Sequence, residues 1–147
     1  MAQAKEIVNH FGRMTGWNNT TVNLLGRDVV GISALKYSDT WEKENVRGAG
    51  RMPVGRGYKG YKAEASITLY KEEVDALKYV MPPNSRIQDI DMFDIVVQYK
   101  RNNGLIQMDR ICNCEFVDDG VELTNEDGTI SIEHNLIVTH IQWDVLL

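Results

Sequence analysis

The side chains best equipped for metal binding or thiol chemistry in this 147-residue sequence are Cys112, Cys114, His10, His134 and His140. A structural zinc site takes four ligands, usually from two closely spaced pairs, and here the single Cys pair has no partner pair. Two cysteines two residues apart on one strand are also poorly placed for an ordinary disulfide. They read as free thiols acting as small apolar groups, in a chain made in a reducing compartment. No histidine adjoins a recognisable nucleophile motif, and no pair of carboxylates stands in an apolar setting. The sequence therefore supports no catalytic residue, no metal and no cofactor.

A second chemical candidate is the run from Arg47 to Gly60, which holds five of the twelve glycines. Successive backbone N–H groups in such a run can cradle an anion. The spacing fits neither the P-loop nor the dinucleotide fingerprint, so nucleotide binding is not supported. Lys43, Arg47, Arg51, Arg56, Lys59 and Lys62 make the same stretch basic, although the whole chain carries a net charge of −5. Such an arm can bind nucleic acid through phosphate contacts. It can equally dock on an acidic face of an identical neighbour, which accounts for a local positive excess on an acidic chain. The aromatic residues Trp17, Trp41, Tyr58, Tyr61, Tyr70, Tyr99 and Trp143 are scattered, which favours core and interface packing over a base-stacking platform.

The elements that must position these residues follow from periodicity. At 43% hydrophobic and 25% charged, the composition is that of a folded globular chain, and the length fits one domain, residues 1–147. No stretch approaches the roughly 20 apolar residues needed to span a bilayer, and the first residues lack the apolar core of a secretory leader, so neither membrane nor secretory routing is expected. Ile7, Val8, Phe11 and Met14 share a helical face, so residues 1–16 read as a short helix or arm. A hairpin follows, with Gly26-Arg27-Asp28 as its turn and a second arm running on through Leu35, Tyr37 and Trp41. Residues 43–60 read as a long extended loop, unusual inside a compact domain.

From Tyr61, alternation through Ala63, Ala65, Ile67 and Leu69 predicts a strand. Val74, Leu77 and Met81 then predict a helix from Lys71 that Pro82-Pro83 ends. Phe93, Ile95, Val97 and Tyr99 form one arm of a hairpin, Asn102-Asn103-Gly104 its turn, and Ile106, Met108, Cys112, Cys114 and Phe116 the other face. Ile137, Thr139, Ile141, Trp143 and Val145 alternate along a final strand with little protection against edge pairing. The fold class is mainly β: an antiparallel two-sheet barrel or sandwich with one helix and a long Gly/Arg-rich loop.

This order of parts resembles that of the tail tube proteins of phages and of related contractile, phage-like tails. The run Val22-Asn23-Leu24-Leu25-Gly26-Arg27-Asp28-Val29-Val30-Gly31-Ile32 is similar to their opening hairpin. Residues 51–62, followed by Ala65-Ser66-Ile67-Thr68-Leu69, look like their arm and return strand, and Ile137-Val138-Thr139-His140-Ile141-Gln142-Trp143-Asp144 like their closing strand. The likeness runs from Trp17 to Leu147 and extends to the tube of type VI secretion.

The resemblance implies a two-sheet barrel closing into hexameric rings that stack into a hollow tube, a conduit for DNA or effectors. Arg47, Arg51, Met52, Pro53, Val54, Arg56, Tyr58 and Lys59 would then contact an adjacent subunit or ring. Asp94, Asp109, Asp118 and Asp119, with Glu126 and Asp127, are candidate acids for the lumen or surface, where negative charge would limit sticking of passing DNA. The implied partners are copies of the chain itself, a sheath or other tail proteins, and DNA that passes without specific binding. The implied location is the tail of a virion assembled in the host cytoplasm. Alternatives on the same evidence are a tube initiator or baseplate adaptor, and a small nucleic-acid-binding module using the basic arm.

Overall fold

The fold is described from a computed structural model, which defines residues 14–101, 104–125 and 128–145. Most of the predicted N-terminal helix or arm, the turn residues Asn102 and Asn103, and Glu126 and Asp127 lie outside the described residues. Met14 and Thr15 carry no helix, and a short 3-10 turn at Trp17–Asn19 leads into the first strand.

Eight strands and one helix follow. They are β1 (Thr20–Leu24), β2 (Arg27–Asp28), β3 (Ile32–Arg47), β4 (Pro53–Tyr70), α1 (Lys71–Tyr79), β5 (Phe93–Lys100), β6 (Ile106–Phe116), β7 (Ser131–Ile137) and β8 (His140–Gln142). Every pairing is antiparallel, in the order β2-β1-β5-β6-β7-β4-β3, with β8 attached to β6. The mainly β, antiparallel expectation with one helix holds. The sheet does not close into a barrel: β2 and β3 end the ladder, with no strand pairing between them among the described residues.

The sheet bends along β6. Asp94 on β5 faces two residues of β6, because the register steps from Phe93↔Cys114 to Ile95↔Ile111. Asn113 takes a left-handed backbone (φ 56°), and its N–H donates to Asp94 Oδ1 at 3.0 Å. Such a bulge bends its strand. On one side of it β6 pairs with β5 and β8, and beyond it Glu115 and Phe116 pair with β7. The extra residue also shifts the inward face, so Ile111 is buried together with Cys112 and Cys114.

The bend lets both arms of the sheet share one core. Val22, Leu24, Ile95 and Val97 from one arm meet Ile67, Leu69 and Leu136 from the other, and Val74 and Leu77 of α1 complete it. Glu72 and Glu73 sit in the helix's first turn and Lys78 in its last, as the helix dipole favours, and the helix ends before Pro82-Pro83. The β1–β2 turn is Leu25-Gly26, both at positive φ (54° and 83°), one residue earlier than the sequence reading placed it. Two-residue turns with this backbone match the twist of a hairpin.

Two expectations about strands are corrected. The second arm of the first hairpin is only the short β2, and Leu35, Tyr37 and Trp41 belong to the separate strand β3. The final strand is two strands: β7 lies between β4 and the end of β6, and β8 returns to β6 opposite Arg110–Cys112. The free ladder edge therefore runs along β3, not along Ile137–Val145.

Candidate assembly surface

The Gly/Arg segment is not a loop. β3 and β4 stay in register from Ile32↔Leu69 out to Arg47↔Pro53, and only Gly48 to Met52 form the connection. β7 covers β4 only from Glu64 onward, so residues 42–60 form a two-stranded ribbon paired with no other strand of the chain. At about 3.3 Å per residue its six-residue β3 arm extends about 20 Å. Gly50, at φ 130°, supplies the turn with a backbone that other residues rarely adopt.

Cross-strand pairs place like with like. Trp41 meets Tyr61 edge-on at 5.1 Å, Lys43 lies over the Tyr58 ring at 5.7 Å, and Arg56 Nε donates to Asn45 Oδ1 at 3.1 Å. These residues form one face. The opposite face carries Glu42, Glu44 and Val46, whose partners on β4 are Gly60, Gly57 and Gly55. A one-residue bulge puts Lys59 on that side, where it pairs with Glu44 at 3.2 Å.

All eight residues expected to contact a neighbour, Arg47, Arg51, Met52, Pro53, Val54, Arg56, Tyr58 and Lys59, lie on this ribbon and are exposed. Met52, Val54 and Tyr58 keep 78%, 68% and 69% of their surface, an apolar exposure that isolated surface residues would not concentrate on one projection.

The candidate acids are not brought together. Asp109 is 2% exposed and cannot face a lumen: Oδ2 accepts the Tyr37 hydroxyl at 2.6 Å, and Oδ1 accepts the Asp144 N–H at 2.9 Å. Asp94 is exposed but holds the Asn113 bulge. Asp118 accepts both the backbone N–H (3.2 Å) and side-chain amide (3.1 Å) of Asn135. Asp119 pairs with Lys78 at 2.8 Å; burial raises its pKa, but the Lys78 bond and charge outweigh burial and hold it below the usual carboxylate range.

Two polar ties that sequence reasoning missed fasten the C-terminal segment. Tyr37, whose hydroxyl touches that of Tyr99 at 2.5 Å, bonds to Asp109, which in turn receives Asp144. Burial, then the bond to Asp109, pushes the Tyr37 pKa up. Asp39 Oδ2 accepts both the Tyr61 hydroxyl (2.8 Å) and the Trp143 indole N–H (3.0 Å), while Tyr61 receives the Ile141 N–H at 3.1 Å. Alternation of aromatics with Asp39 along β3 was the available signal. Tyr37 and Tyr99 stand where β3 and the β1–β5 pair fail to meet, beside a cleft of about 240 Å³ that Trp17, Val22, Leu35 and Val97 also line.

Cys112 and Cys114 are buried free thiols. Burial raises both, Cys114 to about 12. His134 is fully buried, edge-on to Phe116 at 5.6 Å, and His140 shares a 3.0 Å hydrogen bond with Thr139. His10 lies outside the described residues. Among the described residues no three His, Cys, Asp or Glu side chains gather into a set that could hold a metal ion.

No protein-family model and no curated protein matches the chain. Its fold is similar to three solved structures. A chain of the anti-feeding prophage cap, the AFP tube-terminating cap, superimposes with a TM-score of 0.64 at 9% identity, over 88% of this chain and 90% of that one. A chain of the PVC sheath-tube complex, from an extracellular contractile injection system in its extended state, gives 0.63 at 9%, over 93% and 97%. A chain of the anti-feeding prophage baseplate gives 0.52 at 12%, over 84% and 89%. The chain thus shares its fold with components of contractile injection systems, as the resemblance to tail tube proteins implies.

Proposed function

We propose that this chain is a structural subunit of the inner tube of a phage tail or phage-like injection apparatus, and that it performs no chemistry. Copies close into hexameric rings, and the rings stack into a conduit through which DNA or effectors pass without specific binding. Sheath or other tail proteins surround it, in a particle assembled in the host cytoplasm. A heterologous contact that closes by rotation gives a ring, and repetition along the axis gives a filament.

The observation that carries this reading is the ribbon at residues 42–60, whose strands pair only with each other and whose tip exposes Met52, Val54 and Tyr58. Ordering so many residues away from the core is costly unless a neighbour covers them. The free β3 edge and the shared fold give further support. The test is sedimentation velocity with negative-stain microscopy of the purified protein. Rings and tubes are expected. A strictly monomeric species at high concentration and low salt refutes the reading.

A second reading, an adaptor or terminating ring, is favoured by the near-equal likeness to a tube-terminating cap and by the likeness to a baseplate chain. Microscopy separates the two, because an adaptor stops at one ring while a tube subunit stacks without limit.

A further inference from the structure

We propose that the glycine face of the ribbon is the surface that lies directly against a second copy of this chain, with the face of Lys43, Tyr58 and Arg56 turned away from that contact. This deepens the tube-subunit reading and rests on it.

The first observation is the register. Gly55, Gly57 and Gly60 pair with Val46, Glu44 and Glu42, so all three glycines of β4 fall on one side of the ribbon, although a bulge intervenes. A Cβ added at Gly55 or at Gly60 would meet nothing within 4 Å, and at Gly57 only ordinary contacts to Glu44 (3.5 Å) and Val46 (3.6 Å). None of the three has a positive φ. The ribbon itself therefore has no steric or conformational need for glycine at these positions. Glycine weakens a strand interior, and its usual justification there is the close approach of another backbone or ligand. The need must come from outside the chain.

The second observation is charge, which identifies the occupant. Residues 42–59 hold five Lys or Arg and two Glu, a net +3; with the whole chain at −5, the remaining residues carry −8. The ribbon of one copy is complementary to the body of another, which steers association and fixes its register. A bare strip of β4 backbone, flanked by Glu44 and Val46, lets that body approach to backbone distance.

The test is the pair Gly55→Val and Gly60→Val, with Asn45→Val on the opposite face as control. Because both glycine sites are open and valine favours strands, the double variant is expected to melt no lower than the parent as a dissociated monomer. Its concentration for assembly is expected to rise about tenfold or more, because side chains now stand where a neighbour must fit. Asn45→Val should assemble within about threefold of the parent. The Gly55→Ala, Gly60→Ala pair serves if valine lowers the melting temperature, with a smaller rise expected in the same direction. If the substituted glycine face assembles like the parent, this inference is overturned while the tube-subunit reading stands. If the parent itself never assembles, both fall.

Discussion

Gly31 and Glu73 form a lock whose strength can be worked out from its geometry. Gly31 links β2 to β3, and its N–H donates to Glu73 Oε1 at 3.1 Å from the first turn of α1. A Cβ at this position would stand 2.0 Å from Glu73 Cγ and 2.9 Å from its Cδ and Oε1. Gly31→Ala must therefore expel the Glu73 side chain, which is 8% exposed. The lost bond has an ionised acceptor, worth about 1.5–3 kcal/mol, and reduced freedom of the unfolded chain returns about 0.4–1 kcal/mol. The expected net loss is about 2 kcal/mol, or roughly 4–8 °C in melting temperature for a domain of this size.

Guanidinium unfolding of the parent, Gly31→Ala, Glu73→Ala and the double variant forms a thermodynamic cycle. Once Glu73 is alanine the obstacle is gone, so adding Gly31→Ala should cost almost nothing, and the coupling should approach 2 kcal/mol. Additive single effects, or a loss below about 0.5 kcal/mol for Gly31→Ala, would refute the reasoning.

Asp109→Ala should cost about 2–3 kcal/mol, since Tyr37 and the Asp144 amide lose a buried ionised acceptor, and hydrogen exchange at Asp144 and Val145 should accelerate; unchanged exchange would count against the tie. Burial keeps the Cys114 proton in place up to about pH 12, whereas the unfolded thiol releases it near its ordinary value of 9.0. The associated stability is present below pH 9 and declines as pH rises toward 12, and native protein should resist iodoacetamide at pH 8 while denatured protein reacts at both cysteines. Lys78→Met should destabilise by about 0.5–1 kcal/mol at pH 7, because the pair is partly exposed. That deficit should shrink as acid protonates Asp119, whose depressed pKa contributes stability only above its unfolded value of 3.8; equal deficits at pH 7 and pH 2.5 would contradict the assignment.

The parts legible in the sequence were those with uninterrupted local periodicity. α1 was bounded by a change of period at Lys71 and by Pro82-Pro83, and the β5–β6 hairpin by alternation on both arms. The ribbon was read as a loop because Gly55, Gly57 and Gly60 erase the alternation on β4 and two register shifts break it again, at Glu42/Lys43 and Val46/Arg47. Its order comes from a ladder to β3, a partner that local pattern does not reveal. The last strand was read as continuous because Ile137, Thr139 and Ile141 do alternate, while the change of partner between β7 and β8 depends on where β6 bends. The eight contact residues were located correctly as one projecting unit. The acids were not separable by type: Asp109 lies buried beneath Tyr37 and Asp94 props a bulge, roles set by tertiary contacts alone.

The same geometry has a mechanical consequence. Because β4 runs unbroken from the ribbon tip into the body, a pull along the ribbon would reach the β4–β7 ladder lengthwise, across seven registered pairs from Glu64↔Ile137 to Tyr70↔Ser131. Tension applied in that direction shears the pairs together instead of unzipping them one at a time. A filament joined through such struts would resist stretching along its axis more stiffly than one joined through flexible tethers.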